Sequence, residues 1–424
     1  MSEVIRAVRG MNDLLPDEAE LWLWLERVVA DWFARYGYRQ MRTPLLEHTA
    51  LFRRAIGEVT DIVEKEMYTF TDALNNESLT LRPEATASTV RAAIEHSLLY
   101  EGPQRLWYQG PMYRHERPQK GRYREFNQFG AEALGFAGPE VDAELIVMCA
   151  ALWKELGLQG IRLELNNIGS AAERARYRAD LVRHLQAHEA KLDADAKRRL
   201  HTNPMRVLDS KNPMVQEVVA LAPDMMGYLG EASLAHFDSL RRLLSAAGVQ
   251  YQVNARLVRG LDYYNLTVFE WITDRLGAQG TVCGGGRYDG LFEQLGGKPA
   301  PGVGFAAGME RLVALLHHAG RAAPRRQPDA YLAYHGEGTL AQAFTLGEEL
   351  RAAGYAVVLH AGGGGFKAQM KKADASGAAL ALILGEDELQ AAAVTVKPLR
   401  DARPQERIGR GELARRMTEI LKGS

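Results

Sequence analysis

The segment Tyr113-Arg-His-Glu-Arg-Pro-Gln-Lys-Gly-Arg-Tyr-Arg-Glu-Phe126 gathers six basic side chains around Pro118 and Gly121: Arg114, Arg117, Lys120, Arg122, Arg124 and, when protonated, His115. Guanidinium forks are always charged and bidentate, which suits them to phosphate oxygens. Phe126 offers a ring on which a base can stack. Strand-like text on both sides, Arg105–Tyr108 and Phe126–Phe129, predicts an antiparallel hairpin with a cationic loop between its strands. On composition alone, an exposed basic loop without a ligand reads the same way.

Four other strings carry chemistry. In Thr80-Leu-Arg-Pro-Glu-Ala-Thr86 a strand ends at Pro83 and Glu84 follows, placed either to hold an ammonium group or to cap a helix. Leu257-Val-Arg-Gly-Leu-Asp-Tyr-Tyr264 sets an arginine, an aspartate and two tyrosines beside a glycine. Val282-Cys-Gly-Gly-Gly-Arg-Tyr-Asp-Gly290 places adjacent glycines in strand context, where backbone, chain or ligand comes close. Gly302-Val-Gly-Phe-Ala-Ala-Gly-Met-Glu-Arg311 opens a helix with an arginine in its first turn. A cation there opposes the helix dipole, so a ligand anion is the better reason for it. The loose G-x-G-x-x-A match in that string lacks the βαβ context and the acid some twenty residues on that a dinucleotide site needs. No G-x-x-x-x-G-K-[ST] phosphate loop, no nucleophile–base triad and no metal-ligand spacing occurs.

Three stretches must position these residues. From residue 1 to about 169, strand-like runs alternate with amphipathic helices, among them Glu20–Tyr36 with Leu21, Trp24, Leu25, Val28, Val29, Trp32 and Phe33 on one face. From about 171 to 248 the text turns helical and charge-rich, broken by Pro204, Pro213 and Pro223; it reads as a solvated appendage or as a clamp on a substrate. Strand-like, glycine-rich text then returns, ending in the helix Met309–His318. A polar linker, 321–329, precedes strands at Ala330–Tyr334, Tyr355–Leu359, Leu380–Leu384 and Ala393–Lys397, with helices at Leu340–Ala353 and Phe366–Ser376 between them.

The totals bound the answer. At 424 residues the chain is too long for one ordinary core. With 52 Lys+Arg against 53 Asp+Glu, any nucleic-acid contact must rest on locally gathered charge, as in the 114–124 loop. Two cysteines, Cys149 and Cys283, give no disulfide framework and suggest a reducing compartment. Residues 1–10 carry no apolar signal core and no apolar run approaches the ~18–20 residues of a membrane span, so a cytoplasmic protein with no membrane attachment is expected.

These strings resemble the motifs of class II aminoacyl-tRNA synthetases, and specifically of the histidyl-tRNA synthetase family, over nearly the whole chain. Arg42-Thr-Pro44 with Glu47 resembles motif 1, the dimer-interface strand; Arg114–Phe126 resembles motif 2 and Gly302–Arg311 motif 3. Leu257–Tyr264 and Val282–Asp289 resemble the two histidine-specific motifs. The resemblance implies an α+β catalytic domain, residues 1–320, on a mixed, mostly antiparallel sheet flanked by helices, with a helical insertion at about 171–248. It implies a C-terminal α/β anticodon-binding domain with a mixed sheet over 330–424. One departure is Ala85, where the family commonly has glycine; its methyl is expected to crowd the pocket floor slightly.

The activity implied is histidine–tRNA ligation: ATP activates L-histidine to an adenylate, and the histidyl group passes to tRNA(His), by a homodimer using Mg²⁺ with ATP. By resemblance, Arg114 and Arg259 act on the α-phosphate and are the catalytic pair. Arg114, Glu116, Arg122, Phe126, Arg311 and Thr86 bind ATP, with Arg311 on the γ-phosphate and Phe126 on adenine. Glu84, Gln128, Glu132, Arg259, Tyr263, Tyr264 and Tyr288 bind histidine: Glu84 and Gln128 at its amino group, Glu132 and Tyr264 at its ring nitrogens. Arg117, Gln119 and Arg124 meet the tRNA acceptor end. The rival is the synthetase-like regulatory subunit of ATP phosphoribosyltransferase, which usually lacks the C-terminal domain and has eroded histidine motifs; here both are intact. Arg259→His is expected to depress adenylate formation by at least ~10²–10³-fold, as loss of a preorganised donor does, in a folded protein. Near-normal ATP–pyrophosphate exchange by that variant would remove Arg259 from the reaction.

Overall fold

A computed structural model of the chain describes residues 4–119, 121–321 and 327–422, so Lys120 and linker residues 322–326 lie outside the described residues. The chain forms two compact units, Met1–Ala323 and Pro324–Ser424.

The first unit opens with α1 (Pro16–Arg35), longer at its start than the apolar stripe predicts because Pro16 takes the first helical position and Asp17 and Glu18 follow it. Next come β1 (Arg39–Gln40), β2 (Leu46–His48), α2 (Thr49–Ile56), β3 (Tyr68–Thr71), β4 (Ser78–Leu81) and α3 (Thr86–Glu95). The hairpin is β5 (Gln104–Tyr113) and β6 (Glu125–Leu134), longer than expected on both arms and paired in antiparallel register from Gln104↔Leu134 to Tyr113↔Glu125. Then follow α4 (Pro139–Glu155), β7 (Ile161–Asn167), the helices α5 (Ala171–Ala187), α6 (Ala194–Thr202), α7 (Pro213–Ala220) and α8 (Glu231–Ala246), and β8 (Tyr251–Val253). The unit closes with β9 (Asn265–Thr273), β10 (Thr281–Arg287), α9 (Leu291–Gln294), β11 (Gly302–Gly308) and α10 (Met309–His318).

Eight strands form one sheet in the order β1-β5-β6-β11-β10-β9-β7-β8. Only the outer pairs β1/β5 and β7/β8 are parallel; the pairs between them are antiparallel. This is the mixed, mostly antiparallel sheet flanked by helices that the class II resemblance implies. Because strand side chains alternate between faces, Phe129, Ala131 and Ala133 of β6, Val303, Phe305 and Ala307 of β11, and Phe269 and Trp271 of β9 share one core with α1 and α4. Phe33 of α1 stacks on Trp107 at 4.8 Å and 17°, which seats α1 across the hairpin.

The smaller sheet β2-β4-β3 lies apart from the large one. Motif 1 differs from the expected strand: residues 42–45 lie between β1 and β2, and Glu47 of β2 is buried, bonded by Arg91 at 2.6 Å. The helical stretch is no mere appendage. Tyr177, Leu181, Leu200, Val207, Val215 and Val218 build a core of their own. Phe237, Leu240 and Leu244 of α8 instead join the principal core.

In the second unit, β12 (Ala330–Tyr334), β13 (Val357–Leu359), β14 (Leu380–Leu384), β15 (Ala393–Pro398) and β16 (Glu406–Gly409) form a mixed sheet in the order β13-β12-β14-β15-β16. The strand β16 was not apparent in the sequence because its residues Glu-Arg-Ile-Gly offer one apolar side chain, Ile408, to the core. No helix of the described residues is long and apolar enough to cross a membrane.

Phe33 is fully buried between the α1 helix and the sheet. Phe33→Ala is expected to destabilise the first unit by about 3–5 kcal/mol, read as a lowered denaturant midpoint. An unchanged midpoint would show that this contact does not hold α1 to the hairpin.

Candidate active site

The face of the sheet opposite the principal core forms the floor of a cleft of about 190 Å³. Alternation along β6 aims Phe126, Gln128, Gly130 and Glu132 to that side. The same alternation aims Gly302, Gly304, Ala306 and Gly308 of β11 there. The glycine pattern that resembles a dinucleotide loop is therefore a strand whose cleft face must be small. A Cβ on Gly304 would overlap the Glu132 carboxylate. On β10 a Cβ on Gly284 would come 2.6 Å from the Arg259 guanidinium.

Arg114, Arg259 and Arg311, far apart in sequence, all line this cleft. Arg114 leaves the end of β5 and is held by the Pro83 carbonyl at 2.9 Å, its guanidinium over Phe126 at 5.2 Å. Arg311, in the first turn of α10, donates to the carbonyls of Thr281 and, at 3.3 Å, Gly121. Burial lowers its pKa, and the positive charges of Arg122 and Arg114 lower it further. Cations crowded so that each disfavours its neighbour's charge make an anion site, since a polyphosphate relieves both desolvation and repulsion. Arg122 pairs with Glu116 at 3.0 Å.

Arg259 is held by an ion pair with Glu270 of β9, whose other oxygen accepts from Thr281 Oγ1 at 3.0 Å. Burial works against the Arg259 charge, but Glu270 and the neighbouring tyrosines outweigh it and keep its pKa above the ordinary value. Among the described residues its buried Nε has no hydrogen-bond partner, and neither does the buried Oε1 of Gln128. A donor and an acceptor left open at one cleft call for a ligand that carries both kinds of group.

The far end is lined by Glu84, Thr86, Tyr108, Tyr263 and Tyr264. Glu84 caps α3 by accepting from the Thr86 and Ala87 amides at 2.7 and 3.0 Å, yet burial raises its pKa despite those amides and Arg114. The capping reading of this acid thus holds, and its carboxylate also lines the cleft. Thr86, assigned by resemblance to ATP, sits here and donates to Glu132 at 2.6 Å. Glu132 and Tyr288 do not line the cleft. Glu132 is fully buried beneath it, with Thr86 on one oxygen and the Tyr288 hydroxyl on the other. Burial pushes its pKa up to about 8, although the hydroxyls of Thr86 and Tyr288 oppose the shift. Ala85 does not itself line the cleft; its methyl is buried with Met112 and with Tyr108 and Phe126, which do.

Arg117, Gln119 and Arg124 lie in the loop over the cleft and do not line it. Arg117 and Gln119 are exposed, while Arg124 turns inward to the Glu116 carbonyl at 3.2 Å. Three supporting residues carried no signal as site residues. Glu270 holds Arg259. Glu310 lines the wall and accepts from the Asn127 amide at 2.7 Å. Arg287 is a fully buried arginine paired with Asp142 and Asp289, bonded to the carbonyls of Phe136 and Gly138 at 2.9 Å each, and so anchors the end of β10 beside Tyr288. A basic residue next to a glycine run could have flagged Arg287, but its fully buried acid partner, Asp142, is distant in sequence.

The family profile described as Histidyl-tRNA synthetase matches residues 10–312, and the one described as Anticodon binding domain matches residues 329–420. The chain belongs to the histidyl-tRNA synthetase family. It is 60% identical to the histidine–tRNA ligase of Aromatoleum aromaticum, over 99% of this chain and 96% of that protein. It is 62% identical to that of Thiobacillus denitrificans, over 96% of this chain and 97% of that protein. The apo structure of histidyl-tRNA synthetase from S. aureus superposes with a TM-score of 0.83 at 34% identity, covering 98% of this chain and all of that one. Within this synthetase family frame, the cleft is the candidate active site.

Glu132 gives this histidyl-tRNA synthetase fold a pH signature. Unfolded, the carboxyl titrates near 4.5; folded, near 8. Between those values the folded chain keeps a proton that the unfolded chain has lost. The contribution is therefore complete below about 4.5 and is lost as pH rises through about 8, at roughly 1.4 kcal/mol per pH unit at most. Glu132→Gln, neutral throughout, is expected to flatten the fall in denaturant midpoint between pH 5 and 8. Parallel curves for the two proteins would place the proton elsewhere.

Proposed function

We propose that this chain is a histidine–tRNA ligase that joins L-histidine to ATP in one cleft and then passes the histidyl group to tRNA(His). The observation that carries the reading is the convergence of Arg114, Arg259 and Arg311 on a cleft whose other end is tyrosines and carboxyls. The α-carboxylate of an amino acid, with a pKa below about 4, is already ionised, so the first step needs no base. It needs positive charge set around the α-phosphate as the carboxylate oxygen bonds to phosphorus and pyrophosphate leaves. Arg114 and Arg259 supply that charge, and Arg311 holds the γ end. Phe126 stacks on adenine, with Glu116 and Arg122 beside it. Glu116 and Glu310 at the wall offer hard carboxylate oxygens that would hold Mg²⁺ brought with the triphosphate, where it would shield phosphate charge.

Glu84 and Gln128 face the α-amino group. Tyr263 and Tyr264 flank the imidazole, with Tyr264 on one ring nitrogen, and Glu132, buried beneath the cleft, acts on the other through Thr86, which lines the wall and bonds it. A site built to bond both ring nitrogens rejects substrates that leave its buried polar groups unpaired, by about 10⁴–10⁵. Arg117, Gln119 and Arg124 meet the acceptor end of the tRNA, and residues 330–424 read its anticodon. A homodimer is part of this reading: Leu45, Leu46 and Phe70, at 41, 38 and 47% exposure, offer apolar surface on and beside the small β2-β4-β3 sheet. So is a cytoplasmic location. The regulatory-subunit alternative is disfavoured by the intact histidine motifs and by the second unit.

Pyrophosphate exchange measured across the standard amino acids is expected to respond to histidine alone. Charging of total tRNA should then label one acceptor family. Exchange with another amino acid, or none with any, would overturn the reading.

A further inference from the structure

The segment 254–264, which joins β8 to β9 and contains no strand, carries Arg259, Tyr263 and Tyr264 into the cleft. Its first residues are tied to the sheet: Asn254 donates its amide to the Leu165 carbonyl at 2.9 Å, and Asn166 Nδ2 bonds the Leu257 carbonyl at 3.0 Å. Its far end is seated differently. The Asp262 amide bonds the Ile56 carbonyl at 3.2 Å, where α2 ends. The Asp262 carboxylate accepts from Asn203 Nδ2 at 2.7 Å, and Asn203 is the residue that ends α6 of the helical insertion. On the other side its carboxylate lies against Gly57. There a Cβ would come 2.5 Å from Asp262 Oδ2, and φ of +100° already disfavours any other residue. Arg174, Arg178 and Arg206 surround the aspartate's charge, and Arg174 also bonds the Tyr264 carbonyl.

The two walls of this seat are themselves fastened together. Arg199 of α6 pairs with Asp61 at 3.0 Å, and Arg198 with Glu64 at 2.8 Å. The insertion, the turn after α2 and the Arg259 segment thus meet at one carboxylate, three residues from the guanidinium that acts on the α-phosphate. Arg259 has Glu270 to hold its tip, but its backbone has no ladder to rest on. A misplacement of about 1 Å at such a group costs on the order of 10²-fold in rate.

We propose that Asp262, clasped by Asn203, is a positioning residue for the activation step, through which the seat of the helical insertion sets where Arg259 stands. The inference rests on the histidine-activating reading of the cleft. Asp262 touches neither ATP nor histidine; it acts through Arg259. Because Arg259 serves the reacting phosphate while Arg114, Arg311 and Phe126 hold the nucleotide, loss of the clasp lowers the turnover number and leaves ground-state binding of ATP nearly as it was.

The test uses the full-length protein and histidine-dependent ATP–pyrophosphate exchange. Asn203→Ala and Asp262→Ala are each expected to lower kcat by about tenfold or more, with KM for ATP within about twofold. Asp262 is exposed and Asn203 half-buried, and neither belongs to an apolar core, so the thermal midpoint should hold. Asp262→Asn, which keeps the accepting oxygen and the shape, should restore most of the rate. The double variant should be no slower than the worse single one, because one interaction is removed twice. Arg183→Ala, on the same insertion but paired outward with Asp180, should match the unaltered protein. The inference falls if both alanine variants turn over normally, or if their loss of rate follows a drop in thermal midpoint that Asp262→Asn shares. Absence of histidine-dependent exchange in the unaltered protein would instead overturn the reading of function beneath it.

Discussion

Positive charge that has been brought together and half removed from water governs the first unit. Arg114 and Arg311 share a cleft with Arg122, and burial and mutual repulsion both press on the Arg311 proton. Such an arrangement persists only where something rigid holds each group. The Pro83 carbonyl holds Arg114, the Thr281 and Gly121 carbonyls hold Arg311, and the Glu270 carboxylate holds Arg259. The energy stored in holding them apart from water is what an incoming polyphosphate releases.

The plate beneath them is stiff for reasons that have nothing to do with phosphate. Its core face is closed by α1 and α4 through Phe33, Trp107, Phe129 and Phe305. Its cleft face is thinned by Gly284, Gly304 and Ala306, so that side chains from elsewhere can lie flat on it. Behind the tyrosine end, Arg287 is sunk among Asp142, Asp289 and two carbonyls, an ionic cluster whose Arg287–Asp142 pair is fully buried and which fixes the end of β10. Replacing one member would strand a buried charge, which is why such clusters set geometry more than they add stability. Glu132 is the opposite solution to burial: it lacks a cation, so it keeps its proton.

Much of this architecture was legible as text. The apolar stripe of α1, the basic loop between strands, the helix that begins at Met309 and four of the five strands of the second unit follow from periodicity and turn residues. Their ends moved where local chemistry intervened, as Pro16 lengthened α1. The two cysteines illustrate the limit: distant in sequence, they meet in the core with sulfurs 3.8 Å apart. Likewise α8 reads as one more helix of a charged insertion, yet its apolar face belongs to the main core, because only packing decides which of two cores a helix serves.

By itself the sequence determined the kinds of groups available and their local settings: guanidiniums on a loop and at a helix start, small residues along strands, a pair of tyrosines after an arginine. Together with the family resemblance those determine a class of chemistry. Tertiary structure decided what each group's neighbours are, and hence its charge state and freedom. It buried Glu132 without a cation, gave Arg259 to Glu270, turned Arg124 inward, and seated Asp262 between Gly57 and Asn203. Desolvation and Coulomb terms depend on distances in space, which residue spacing along a strand or helix does not encode.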